Sequence, residues 1–139
     1  MKGMVTYLNF DGNCREAMEF YKKALGADLE LMPFSGMPGD FPEEMKHRIM
    51  HARLSKGPQA LLMASDTMPG HGLGFKAGNN FWVSVHCESA EEIDRIFGAL
   101  SEKGQVVMPL DQTFWAARFG MLTDRFGINW MLNFEKDQA

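Results

Sequence analysis

The feature that most restricts the fold of this chain is a repeat. Residues 13–25, NCREAMEFYKKAL, place apolar side chains at Ala17, Phe20, Tyr21, Ala24 and Leu25, the spacing of one buried helical stripe. Asn13 is placed to cap that helix, Glu16 to complete a capping box, and Gly26 to stop it. The same signals return 76 residues later. Ser89 stands for the cap, Glu92 for the box, and Ile93, Ile96, Phe97 and Leu100 for the stripe, with Gly104 placed to stop the helix. A recurrence of cap, box and stripe in one register implies a duplicated unit.

Alternating segments at Met4–Phe10 and Asn80–Cys87 precede the two helices, and three short strand candidates follow each. They fall near 28–34, 47–54 and 59–65, then near 105–109, 115–123 and 128–134. Here the repeat distance is 68, pairing Leu54 with Leu122, Leu62 with Trp130, Met63 with Met131 and Ser65 with Asn133. The missing residues lie in 33–46, PFSGMPGDFPEEMK, a Pro/Gly/Met-rich loop that reads as a lid or as a plain solvated connection. The expected fold is α+β, two βαβββ modules within one domain spanning 1–139. Module one covers about 1–66 and module two about 80–135. A linker of about 67–79 is broken by Pro69, Gly70, Gly72, Gly74 and Gly78. A duplicated ferredoxin-like sandwich would place fewer strands after each helix.

Composition narrows the function classes. Fourteen Lys+Arg against 18 Asp+Glu give a net charge of −4, which lacks the basic field of a nucleic-acid binder. No apolar run approaches the roughly 18 residues of a membrane span, and Asn9 and Asp11 interrupt the start before a secretory hydrophobic stretch can form. The expectation is a cytoplasmic protein. Cys14 and Cys87 are too far apart in sequence for a short metal or redox pair and read as isolated thiols. Twelve methionines are the unusual element, since this flexible side chain fills irregular gaps or lines adaptable pockets.

Paired βαβββ modules with this helix placement resemble the vicinal oxygen chelate superfamily of glyoxalases, bleomycin-resistance proteins and extradiol dioxygenases. The strings YLNFDGNCREAMEFYKKALGA, HARL at 51–54 and TFWAARFGMLTDRFGINWMLNF at 113–134 are similar to its PhnB-like branch. The resemblance implies a curved eight-stranded sheet with a concave cleft, a homodimer, and a ligand or metal site on the concave side.

Strand alternation then sorts the side chains. Phe81, Val83 and Val85 belong under the second helix, leaving Asn80, Trp82, Ser84 and His86 to the cleft. Met50, Ala52 and Leu54 belong under the first helix, leaving His51 and Arg53. Ile128, Trp130, Leu132 and Phe134 are expected to be buried, with Asn129, Met131 and Asn133 inward. Phe119 and Met121 mirror His51 and Arg53, and Trp115 shares their parity. The expected ligand-binding set is therefore Thr6, His51, Arg53, Met63, Asn80, Trp82, Trp115, Phe119, Met121, Asn129 and Met131, a mixture of apolar and polar groups suited to a small-molecule cleft.

The metal-dependent relatives carry a ligand on the first and last strands of each module, which the resemblance places at Thr6, Met63, Asn80 and Met131. None is a donor that zinc, nickel or iron favours, so no metal cofactor is expected. His47 and His51 lie about 13 Å apart along a strand at roughly 3.3 Å per residue, too far to share an ion. His71 reads as a linker residue and His86 as a strand end. GHGLG at 70–74 opens no helix and is no phosphate loop. Helix starts beside Cys14 and Cys87 lower a thiol pKa, yet neither cysteine has a His and acid partner in sequence. His51 is the one candidate acid/base, and with Arg53 it equally suits anchoring a carboxylate, phosphate or phosphonate. The leading expectation is a metal-free small-molecule binding protein. The alternatives are a metal-dependent lyase or isomerase on a small oxygenated substrate, and a vestigial cleft closed by Trp82 and Trp115. Methyl transfer finds no nucleotide-binding pattern to support it.

Overall fold

The computed structural model describes residues 1–68, 70, 72 and 74–135. In chain order they form β1 (Tyr7–Phe10), α1 (Cys14–Leu25), β2 (Asp28–Pro33), β3 (Ile49–Lys56), β4 (Gln59–Asp66), β5 (Val83–His86), α2 (Ala90–Ser101), β6 (Gln105–Asp111), β7 (Arg118–Thr123) and β8 (Asn129–Phe134). The chain divides into two units at Lys76/Ala77, each holding one helix and one four-stranded sheet. This is the α+β, twice βαβββ arrangement that the repeat implies.

In the first unit the strand order is β1-β4-β3-β2, with β1 parallel to β4 and the other neighbours antiparallel. Helix α1 turns Cys14, Ala17, Met18, Tyr21, Ala24 and Leu25 inward, while Phe20 is only half-buried. The sheet answers with Leu8, Phe10, Ala52, Leu54, Leu62 and Ala64. Full burial of a large side chain such as Tyr21 or Leu54 contributes about 1.5–3 kcal/mol. Gly26 closes the helix in the left-handed region, at φ 63°.

The start of α1 departs from expectation. Asn13 makes no side-chain capping bond. Its role passes to Asp66, at the far end of β4, whose Oδ1 accepts from the N–H groups of Gly12 (2.8 Å) and Cys14 (3.0 Å) while Oδ2 accepts from Ile49 (2.8 Å). A carboxylate at a helix N-terminus satisfies donors that the helix leaves unpaired and meets its positive dipole end. One buried side chain thus ties α1, β3 and β4 together.

The second unit repeats the order as β5-β8-β7-β6, again with one parallel pair, β5 and β8. The repeat is visible in the register: Leu54 faces Leu62 in one sheet, and Leu122 faces Trp130 in the other. Helix α2 buries Ile93, Ile96, Phe97 and Leu100. Here the local cap forms, with Ser89 Oγ accepting from Glu92 N–H at 3.1 Å and Glu92 reaching back to Glu88 N–H. The helix ends at Ser101, before the expected stop. Gly104 matters for a different reason, because a Cβ there would meet the Thr123 carbonyl oxygen at 2.5 Å. Trp130 is buried and donates its indole N–H to Asp124 Oδ2 at 2.9 Å.

Several expected boundaries shift for identifiable reasons. Strand β5 begins at Val83, paired with Trp130, and β8 begins at Asn129, so no β8 residue stands level with Asn80 or Phe81. Phe81 is consequently 46% exposed and outside the core. Strand β7 begins at Arg118, since Thr113 and Ala116 close a turn through Thr113 N–H to Ala116 O (3.1 Å) and Ala116 N–H to Thr113 Oγ1 (3.0 Å). A bulge opposite Met32/Pro33 brings Ile49, not Met50, into the buried row. Ile128 and Phe134 are half-buried, unlike Trp130 and Leu132. The 33–46 loop is pinned at both ends by buried Phe34 and Met45, and Phe34 N–H and Ser35 N–H bond to the carbonyls of Arg48 and Lys46.

Candidate functional site

Each helix covers one face of its sheet, so the functional side chains are sought on the other. In the first module, β1 buries Leu8 and Phe10 and leaves Tyr7 and Asn9 on the open face. Thr6 precedes the strand and shares the parity of Leu8, so the position level with Met63 belongs to Tyr7. Only the Thr6 carbonyl takes part in the sheet, accepting from Met63 N–H at 3.1 Å. Arg53 is the Cα partner of Met63 on β3, and His51 lies two residues back on the same face. The Tyr7 hydroxyl lies 3.0 Å from His51 Nδ1, and the two rings stack with centroids 5.8 Å apart. Sequence reading missed Tyr7, although counting back from the apolar pair Leu8 and Phe10 identifies it.

The open face of the second module is apolar at its centre. Ser84, Met131, Met121 and Met108 are successive Cα partners across β5, β8, β7 and β6. Beside them run His86, Asn133 and Phe119. Ser84 Oγ is 3.3 Å from His86 Nε2. Thr123 Oγ1 donates to Asn129 Oδ1 at 2.7 Å, so Asn129 is buried and engaged within the sheet. Trp115 sits in the turn before β7 and is half exposed, yet it reaches the face by packing edge-on against Phe119 (5.6 Å) and Phe114 (4.8 Å). Trp82 lies just before β5, half-buried. Asn80 is exposed and outside the strand, so Ser84 and not Asn80 stands level with Met131.

The residues do not fit a divalent ion of the kind used by metal-dependent relatives. Thr6 and Asn80 lie outside their strands, the positions level with Met63 and Met131 carry the hydroxyls of Tyr7 and Ser84, and the two methionines offer thioethers, which suit soft Cu(I) and not zinc, nickel or iron(II). Among the described residues no three of His, Cys, Asp and Glu gather as a metal-binding group. His47 is exposed in the turn before β3, and His71 lies outside the described residues.

Neither thiol is set up as a nucleophile. Burial, reinforced by the Asp66 charge, pushes the Cys14 thiol up to about 12. Burial and then the Glu92 charge push Cys87 up to about 11. The lowering exerted by the Arg15 charge at Cys14 and the Arg95 charge at Cys87 is outweighed at both positions.

Two one-helix, four-stranded modules define a protein of the glyoxalase/bleomycin-resistance/dioxygenase fold. A domain of that description from Frankia sp. EAN1pec shares it, with a TM-score of 0.67 over 100% of this chain and 96% of that one; at 14% identity this is a likeness of fold alone. A family model described as 3-demethylubiquinone-9 3-methyltransferase matches residues 2–133, and the chain belongs to that family, the PhnB-like branch. It is 33% identical over 143 residues to Protein YjdN of Escherichia coli (strain K12), across 95% of both chains. Protein PA1353 from Pseudomonas aeruginosa is 47% identical with a TM-score of 0.87, over 99% of this chain and 100% of that one. The PhnB protein from Bacillus cereus is 28% identical with a TM-score of 0.73, over 96% and 99%.

Proposed function

We propose that this protein binds a small organic molecule on the open faces of its sheets, without the divalent ion of its metal-dependent relatives. The observation that carries the reading is the run of Met131, Met121 and Met108 as neighbours across the second sheet, flanked by Phe119 and Trp115. Polarizable methionines adapt to a ligand's shape, aromatic rings supply contact area, and a few polar groups orient it. The poor donor set at the family's metal positions supports the metal-free part of the proposal. Methyl transfer gains no support from sheets with a single parallel pair each, which lack a doubly wound nucleotide site.

The test is a thermal-shift screen of chelator-treated protein against small aromatic and heteroaromatic compounds, because a ligand that binds only the folded state raises the midpoint. The expected result is a saturable rise that Phe119→Ala and Met121→Ala diminish. A rise that requires added nickel, zinc or iron(II), or none with any compound, contradicts the proposal.

The proposal places the protein in the cytoplasm, where two buried free thiols stay reduced. It also makes the protein a homodimer. Support comes from edge strand β6, where Val106 and Val107 are exposed and a second copy would cover them. Sedimentation equilibrium at twice the chain mass is expected, and a monomer at micromolar concentration contradicts it.

A further inference from the structure

We propose that Tyr7, His51 and Arg53 form an oxyanion-binding site on the open face of the first sheet, taking the carboxylate or phosphoryl group of a small organic ligand. This rests on the reading of the open faces as ligand-binding surfaces and specifies one group of the ligand. The first observation is an unmatched guanidinium. Arg48, Arg118 and Arg125 are each held by a carboxylate, from Asp11, Asp94 and Glu102 respectively. Arg53, half-buried, has no ion pair among the described residues, although Glu30 is its Cα partner on β2. Its Nε is buried without a hydrogen-bond partner, as is that of Arg118, but Asp94 meets the Arg118 charge whereas Nη2 of Arg53 makes one long bond, 3.4 Å, to the Pro58 carbonyl. A buried donor on a permanent cation left unpaired is costly, and a planar guanidinium fork matches an oxyanion.

The second observation is the Tyr7–His51 pair beside it. Either tautomer of a neutral His51 leaves one donor free. If the Tyr7 hydroxyl donates to Nδ1, the imidazole keeps an outward Nε2–H; if Nδ1–H donates to the Tyr7 oxygen, the hydroxyl hydrogen turns outward. The pair therefore always offers an N–H or O–H. Arg53 stands on the same open face, two residues along β3 from His51, with its Nη2 on the Pro58 carbonyl of the β3–β4 turn; an anion that draws this long side chain back along the strand meets donors from both.

The test is isothermal titration of the chelator-treated full chain with inorganic phosphate, acetate and, as a neutral control, acetamide. At least one of the two anions binds and acetamide does not; whichever anion binds more tightly identifies a phosphoryl or a carboxylate partner. Arg53→Gln weakens that anion roughly ten- to hundredfold, the loss of one or two charge-assisted bonds. Tyr7→Phe, which keeps the ring and the fold, weakens it less. Absence of binding by both anions at millimolar concentration overturns the proposal, as does unchanged affinity in both variants. A neutral aromatic compound that raises the melting midpoint of wild type and Arg53→Gln equally, with no anion bound by either, overturns the oxyanion site while leaving the broader binding function standing.

Discussion

Replacing Asp66 tests how the first module is held together. Asp66 is 5% exposed, and its carboxylate accepts three backbone N–H bonds from two separate segments, the entry to α1 and the start of β3. A hydrogen bond to a charged group contributes about 1.5–3 kcal/mol, and a buried donor left unpaired costs about 1–3 kcal/mol. These terms overlap, so Asp66→Ala is expected to destabilise by about 3–5 kcal/mol. Asp66→Asn keeps one carbonyl oxygen for Gly12 and Cys14 but turns an amide N–H₂ toward Ile49 N–H, and is expected to cost about 1–3 kcal/mol. Asn13→Ala, at the sequence-local cap position, changes stability by less than about 0.5 kcal/mol because its side chain makes no capping bond. Urea unfolding reads all three. With a slope of about 1–3 kcal/mol/M, the alanine variant's midpoint falls by roughly 2 M if the slope is unchanged. An Asn13→Ala cost larger than that of Asp66→Ala would place the helix cap on Asn13 and contradict the role of Asp66.

Three further outcomes follow from the packing and the thiols. Gly120→Ala places a Cβ 2.7 Å from Phe97 Cε2 and 2.9 Å from Leu110 Cδ2, so overpacking between α2 and β7 costs about 1–3 kcal/mol; a neutral effect in thermal unfolding contradicts that close approach. Trp130→Phe removes an indole from a fully buried site and one donor from Asp124, and is expected to lower stability by about 2–4 kcal/mol, measured by urea midpoint. Both thiol pKa values are raised in the folded state, from an ordinary 9.0 to about 12 for Cys14 and about 11 for Cys87. The sign follows from linkage: the protonated thiol is favoured by folding, so this contribution is intact below pH 9 and is lost as pH rises through 11 to 12. Cys14→Ala is therefore expected to flatten the fall in urea midpoint above pH 9, and the native thiols to react sluggishly with Ellman's reagent at pH 8. Rapid native labelling of both refutes the burial argument.

Much of the fold is legible in the sequence because its signals are local and occur twice. The stripes of α1 and α2, the Ser89 cap and the pairing of Leu54 with Leu62 and Leu122 with Trp130 all follow from spacing. What is not legible depends on partners distant in sequence. Asp66 caps a helix beginning 52 residues earlier, and no local pattern distinguishes it from Asn13, which has the right identity in the right place. Strand ends depend on where the neighbour ends, which leaves Asn80 and Phe81 outside β5; Thr6 shares the parity of buried Leu8, so the open face at that level belongs to Tyr7. Parity also resets at a bulge, hence Ile49 in place of Met50. For the candidate site, alternation identifies His51, Arg53 and Met131 as face residues and the 68-residue repeat adds Met63 and Met121, whereas Trp115 meets Phe119 through a turn that alternation does not describe.

The central claim is that the open sheet faces bind a small organic molecule, and methyl-labelled methionine offers the most direct test. Spectra of the ¹³C-methyl methionine groups, assigned by single substitutions, report Met63, Met121 and Met131 on the open faces and Met18 and Met45 in the core. Titration of chelator-treated protein with a compound that raises its melting midpoint is expected to shift the Met121 and Met131 signals saturably while Met18 and Met45 stay in place. A compound that stabilises the protein yet leaves Met63, Met121 and Met131 unmoved contradicts the account.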